Sequence, residues 1–247
     1  MGRIIYFSKS IPEIKYHSRS ATQGAEYEMV KSFIAKVEKQ YIRSKTRNLA
    51  IFIEPQIESG YPDIVLVEFG NLAFATQFQE NRLQLSLTDL KILFEILQNN
   101  TISIKKLEEM LGYSQSQIIK TIDLLDSCNL VKVFSSKKFV RKRDIKSYFA
   151  ITKIISIEAK IDKWFEVIEQ SYVNQWFTSE AYVLLNRITN LECVDLCKEV
   201  GMGVLTLKNK SFKKITNSIK RELPVSYLSL LFNEWIMRFL SLEMHSE

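Results

Sequence analysis

The periodicity of the apolar residues changes twice along this chain, and that change limits the folds open to it. Early on, the apolar runs are short and nearly continuous, Ala50–Glu54 and Asp63–Phe69, with Glu58-Ser59-Gly60 between them. Runs of this kind, bounded by turn formers, predict two strands joined as a hairpin. Before them, Val30, Phe33, Ile34, Val37 and Tyr41 fall at the i, i+3, i+4, i+7 spacing that predicts a helix over Ala25–Tyr41. From Ser86 the period becomes purely helical. Strand-like sequence returns at Ser147–Ala159 and then alternates with helical stripes: a helix over Asp162–Gln175, a strand at Ala181–Leu185, a helix over Leu191–Val200, and a strand at Val204–Leu207. A last amphipathic helix is expected over Pro224–Glu243, packed on the core or offered to a second copy. Strand–helix–strand alternation with short loops predicts an α/β fold with a partly parallel, mixed sheet flanked by helices. The expected α/β domain comprises residues 1–80 and 147–247, interrupted by an inserted domain over 84–146.

The insert has its own logic. Leu87, Leu90, Ile92, Leu93, Ile96 and Leu97 make one apolar helix; Ser103 caps a second that stops at Gly112; Ser114 caps a third with Ile118, Ile119, Ile122 and Leu125 inward. Leu111-Gly112-Tyr113-Ser114 has the length and glycine of a helix-turn-helix turn. After it, Leu130–Val133 and Lys138–Val140 alternate like two arms of a basic β-wing, so Ser86–Arg143 resembles a winged helix-turn-helix domain. On its third helix Gln115, Ser116, Gln117, Lys120 and Thr121 suit base edges, while Lys137, Lys138, Arg141 and Arg143 suit backbone phosphates.

Charge points the same way. The chain of 247 residues has a formal net charge of +6, yet between Lys132 and Lys146 stand seven basic residues against the single acid Asp144. Lys208–Arg221 adds six basic residues and no acid. Positive charge is therefore concentrated in two segments of an otherwise acidic protein, the distribution of a polyanion binder. No apolar run reaches the roughly 20 residues of a membrane span, and Met1–Lys15 is interrupted by charge, so a cytoplasmic protein with no membrane partner is expected. Cys193 and Cys197 are four apart, but the histidines, His17 and His245, are distant in sequence; buried free thiols are expected rather than zinc ligands. His17 is read as a surface residue.

Two further segments carry the chemistry. Gly60-Tyr61-Pro62-Asp63 runs into the strand Ile64–Val67, and Ile157-Glu158-Ala159-Lys160 lies far downstream. Alternation along a strand puts Glu158 and Lys160 on one face and Ala159 on the other. If Asp63, at the start of a neighbouring strand, reaches the same surface, two carboxylates can hold a hard divalent cation while an ammonium stands beside a phosphate, as phosphodiester hydrolysis requires. Glu26 lies on the inward face of the first helix, one turn before Val30.

Helix with an acid, hairpin carrying Pro62-Asp63, strand carrying Glu158-Ala159-Lys160, then helix and closing strand: this order resembles the PD-(D/E)xK nuclease superfamily, the restriction-endonuclease-like fold. Gly24–Val30 resembles the first-helix motif, Ile53-Glu54-Pro55 the acid-bearing hairpin, and Val200–Leu205 the glycine-led final strand. The resemblance covers about Ala25–Leu207, departing from the usual pattern only in the long winged-helix insertion, which loop-closure entropy tolerates. It implies Asp63 and Glu158 as Mg²⁺ (or Mn²⁺) ligands with the Ala159 carbonyl as a further one, and Lys160 as the residue that orients water or steadies the phosphorane. Glu26 and Gln170 are implied as supporting catalytic residues and Glu54 as an outer acid. The expected function is a metal-dependent DNA endonuclease, acting alone, as a homodimer or as a subunit of a larger complex. The alternatives are a non-catalytic DNA-binding regulator on the same scaffold, or a docking subunit of a defence, transposition or repair complex.

Overall fold

The computed structural model describes residues 2–20, 23–43, 48–70, 78, 80–134, 139–188, 190–208 and 211–245. In chain order the elements are β1 (Ile4–Phe7), α1 (Ala25–Arg43), β2 (Asn48–Ile53), β3 (Ile64–Phe69), α2 (Leu87–Gln98), β4 (Thr101–Ser103), α3 (Ile104–Leu111), α4 (Gln115–Ser127), β5 (Val131–Phe134) and β6 (Phe139–Lys142). They continue with β7 (Ile151–Lys160), α5 (Trp164–Asn174), β8 (Glu180–Leu185), α6 (Leu191–Glu199), β9 (Gly203–Lys208), β10 (Ser211–Thr216) and α7 (Tyr227–His245). The chain divides into two compact units, one formed by Met1–Gly70 with Ile151–Val225 and the other by Asn71–Ala150 with Ser226–Glu247.

The first unit is α/β. Its seven-stranded sheet has the order β1-β2-β3-β7-β8-β9-β10. It is mixed: β2, β3 and β7 pair antiparallel in turn, whereas β7, β8 and β9 are parallel, joined through α5 and α6. Both faces are covered, so β3 and β8 are buried along their whole length. Met29, Val30, Phe33, Ile34 and Val37 of α1 bury one face against Leu66, Ile157, Ala159 and Leu184. Val167, Ile168, Cys193 and Cys197 of α5 and α6 bury the other against Ala181, Val183 and Val204. Both cysteines are free and buried, as apolar packing groups. Strands β1, β4 and β10 are additions to the sequence reading. β1 pairs parallel with β2, and β10 pairs antiparallel with β9.

The second unit packs α2, α3 and α4 over a three-stranded sheet of order β4-β6-β5. Ser86 and Ser114 close capping boxes with Asp89 and Gln117, and Gly112 ends α3 at φ 69°, a left-handed conformation that favours glycine. Leu90, Ile96, Leu107, Ile118, Ile122 and Val140 form its core.

Here the boundary differs from the one expected. Residues 226–247, placed by the sequence reading with the strand-rich part, belong to the helical unit. Leu230 of α7 joins its core. Arg82 forms a buried ion pair with Glu234, with Nε to Oε2 at 3.2 Å, and Asn233 accepts from the Ala150 N–H and donates to the Tyr148 carbonyl. A helix this apolar does not announce its partner, because its amphipathic pattern fits any core. Among the described residues no helix is long and apolar enough to cross a membrane.

Candidate active site

Strand pairing brings the two carboxylates together. In the β3–β7 ladder Ile64 lies opposite Ile157, so one further step places Asp63, at the mouth of β3, opposite Glu158. The Ala159 N–H donates to Oδ2 of Asp63 at 2.8 Å, and Asp63 and Glu158 are close enough for the Asp63 charge to act on the Glu158 carboxyl. Asp63 is delivered by a tight turn: Ile57 and Gly60 form an isolated bridge, with Gly60 at φ 128° where a side chain would be strained.

Each charged group has a partner behind it. Nδ2 of Asn174, on the last turn of α5, donates to Oε1 of Glu158 at 2.6 Å. Nζ of Lys160 donates to Oε2 of Glu26 on α1 at 3.1 Å. The segment before α1 is tied to the residues after β2: Ser18 bridges Pro55, the Gln56 N–H donates to the His17 carbonyl, and the Arg19 N–H donates to the Glu54 carbonyl. This holds Arg19 at the cleft, its Nε bonded to the buried Glu54 carboxylate and its guanidinium 5.0 Å from the Tyr61 ring centroid. Glu54 itself sits at φ 45°, an uncommon value for a residue with a side chain, of the kind found where a local site over-determines the backbone.

Two cavities meet at these groups. One, of about 300 Å³, is walled by Tyr61, Asp63, Glu158, Lys160, Gln170 and Asn174; the other, of about 230 Å³, by Glu26, Tyr27, Glu54, Asp63 and Lys160. Arg19, Asp63 and Lys160 line both. A third cavity, of about 310 Å³, lies against Phe33, Val37, Leu66 and Phe212; its acid Glu180 is already paired with Lys153 and hydrogen-bonded by Tyr182. It is mainly apolar and holds none of the carboxylate pair.

Burial raises the pKa of Asp63, partly offset by the Ala159 N–H and the Lys160 charge. Burial and the Asp63 charge hold Glu158 well above the ordinary carboxylate range, against the opposing Asn174 bond. Burial pulls the Lys160 ammonium down, but its bond to Glu26 and the charges of Glu26, Asp63 and Glu158 outweigh that, and its pKa is raised. Two crowded carboxyls with raised pKa values hold protons more readily than free ones, and a divalent cation bound between them would replace such a proton. Among the described residues no cluster of three or more His, Cys, Asp or Glu side chains is arranged to hold a metal. A two-carboxylate donor set fits Mg²⁺, which binds through one or two carboxylates and retains several waters.

Of the residues singled out from the sequence, Asp63, Glu158, Lys160 and Glu26 converge; for Ala159, whose carbonyl the resemblance implies as a metal ligand, the contact in the site is its N–H on Asp63. Gln170 lines the cleft from the exposed side of α5, but the bond to Glu158 comes from Asn174, one turn further on. That i, i+4 relation was the available signal for Asn174. Arg19 had none, since its placement depends on the pairing of residues 17–19 with 54–56. His17 is exposed and lines neither cavity.

In the helical unit, Gln115, Ser116, Gln117 and Lys120 are exposed on α4, with the side-chain Oε1 of Gln117 accepting from the Ser114 N–H and hydroxyl in the helix cap. Thr121 is buried, and its hydroxyl donates to Oδ1 of Asp89 at 2.5 Å, so it is a core residue and not a base-reading one. Arg141 is exposed, whereas Nε of Arg143 donates to the Val131 carbonyl at 2.9 Å. Lys137 and Lys138 lie outside the described residues. No protein-family model matches the chain, and no curated protein or solved structure matches it significantly.

Proposed function

We propose that this protein is a Mg²⁺-dependent DNA endonuclease of the PD-(D/E)xK type, carrying a winged helix-turn-helix insertion that positions the duplex. The observation that carries the reading is the convergence of Asp63 and Glu158 from opposite strands on one cleft, with Lys160 two residues beyond and held 3.1 Å from Glu26. A mixed sheet with α1 on one face and α5 and α6 on the other supports the restriction-endonuclease-like fold. Three helices followed by a hairpin, with β4 as third strand, support the winged helix.

When bound, Mg²⁺ supplies Lewis-acid polarisation of the phosphate and lowers the pKa of bound water. The protein's own groups do the rest. Asp63 and Glu158 provide the anionic ligand oxygens, with Glu158 aimed by Asn174. Lys160, kept protonated by its acidic surroundings, places a positive charge beside the phosphoryl oxygens where charge accumulates. Glu26 fixes the lysine's reach. Arg19, with Nε engaged by Glu54, presents its remaining guanidinium donors to a non-bridging phosphate oxygen. No protein nucleophile is required, since water is the attacking group.

The test is incubation with supercoiled plasmid and Mg²⁺ or Mn²⁺, comparing the wild type with Asp63→Ala and Lys160→Ala. Metal-dependent nicking abolished by both substitutions supports the enzyme. Cleavage that survives both excludes this site. Failure to cleave any DNA or RNA favours a non-catalytic DNA-binding regulator or docking subunit.

A further inference from the structure

We propose that the outer face of the β4-β6-β5 sheet binds unpaired nucleic acid, with bases stacked on Phe134 and Phe139 and phosphates held by Lys132 and Arg141. The register fixes the arrangement. Across β5–β6, Phe134 lies opposite Phe139 and Lys132 opposite Arg141; across β4–β6, Ser103 lies opposite Phe139 and Thr101 opposite Arg141. Opposed residues share a face and neighbours along a strand alternate, so these six positions point the same way. Ile102, Val131 and Val140 point the other way, into the core. The two phenylalanines are 43% and 45% exposed, and Lys132 and Arg141 are exposed beside them.

An adjacent pair of exposed rings on a sheet face is open to a stacking partner. Neighbouring strands lie about 4.8 Å apart and alternate residues about 7 Å apart along a strand, so two side-by-side rings have two cations within side-chain reach. That is the composition of a single-strand platform, on which base faces stack and the backbone is neutralised. A duplex fits it less well. Its base faces are hidden in the stack, so the rings lose the stacking that an unpaired strand offers and are left with groove-edge contacts such as a thymine methyl. A protein-binding patch is depleted of charge at its centre, whereas here cations abut the rings and the surrounding segment carries seven basic residues against one acid. The face uses neither the carboxylate cleft nor a metal, so it stands independently of the nuclease reading.

The experiment is equilibrium binding of the full-length protein, in EDTA, to a fluorescein-labelled oligothymidylate and to a labelled duplex of the same length. Phe134→Ala and Phe139→Ala are each expected to weaken oligothymidylate binding by about 5- to 100-fold while leaving duplex binding and the salt slope unchanged. Phe139→Trp should restore the affinity. Arg141→Ala should reduce the slope of log affinity against log salt by about one. Because the rings are exposed, folding is expected to be preserved, checked by the thermal midpoint. Unchanged oligothymidylate binding in the folded double variant Phe134→Ala/Phe139→Ala overturns the proposal and leaves a protein partner for the face; an equal loss on the duplex overturns it as well.

Discussion

The Ala159 N–H donates to Oδ2 of Asp63 at 2.8 Å, joining two points of the chain between which most of the helical unit is inserted. This bond fixes where Asp63 stands relative to Glu158. Asp63 itself lines both cavities of the cleft.

Removing the Asp63 charge separates activity from stability. Asp63→Asn keeps an oxygen to accept from Ala159 but ends the repulsion with Glu158. Cleavage is expected to fall by at least about 10²- to 10³-fold, the scale of losing one transition-state stabiliser. The thermal midpoint of the metal-free protein should rise. A variant that is both slower and less stable would mean Asp63 serves the fold instead.

The pH dependence has a definite sign. Asp63 and Glu158 have raised pKa values in the folded state, against about 4 in the unfolded chain. Above pH about 4 the folded state therefore holds protons that the unfolded state has lost, and this pair's contribution to stability decreases as pH rises through the folded values. Thermal denaturation from pH 4 to 8, wild type against Asp63→Asn, isolates that contribution. Because a cation binds the ionised carboxylates and their pKa values are raised, the midpoint shift produced by Mg²⁺ should grow with pH. A Mg²⁺ shift of constant size across this range would contradict the assignment.

Asn174 and Gln170 should behave differently despite sharing a face of α5. Asn174→Ala takes a donor from the buried Glu158, costing about 1–3 kcal/mol, and moves the acidic limb of the cleavage profile to higher pH. Gln170→Ala, at an exposed position, is expected within about 0.5 kcal/mol of the wild type. Equal effects in denaturant titrations and pH–rate profiles would remove the special role given to Asn174.

Arg19→Ala should act on substrate binding. Losing one charge-assisted contact to phosphate is expected to raise KM about 10-fold or more with a smaller change in kcat. Arg19→Lys should recover only part of this, since a lysine does not keep the guanidinium fork that lies against Tyr61 and Glu54. Steady-state cleavage kinetics decide it; an unchanged KM would return Arg19 to a structural role.

The buried pair Arg82–Glu234 tests where α7 belongs. Glu234→Ala strands a buried guanidinium and should cost about 3–5 kcal/mol, while Arg82→Met combined with Glu234→Leu should cost far less. Equilibrium denaturation of the single and double variants measures the difference. A Glu234→Ala variant as stable as the wild type would contradict the assignment of α7 to the helical unit.

Periodicity alone was enough for α1 from Val30 to Tyr41, the β2–β3 pair, the three helices α2 to α4 with the serine caps of α3 and α4, and the β7–α5–β8–α6–β9 alternation. Strand alternation put Glu158 and Lys160 on one face and helix phase turned Glu26 inward, whereas Asp63 joined that set only through the resemblance in the order of elements and, in the structure, through the β3–β7 register. Tertiary structure decided what local pattern does not encode. Thr121 carries a polar hydroxyl that reads as surface chemistry, yet Asp89, distant in sequence, makes it a core residue. Asn174 replaced Gln170 behind Glu158 because the two are one turn apart, and only the packing of α5 on the sheet selects between them. Arg19 reached the cleft through bridges formed with residues 54–56, and α7 joined the helical unit through Glu234 and Asn233. Each of these is a long-range pairing, and a long-range pairing has no period in the sequence from which to read it.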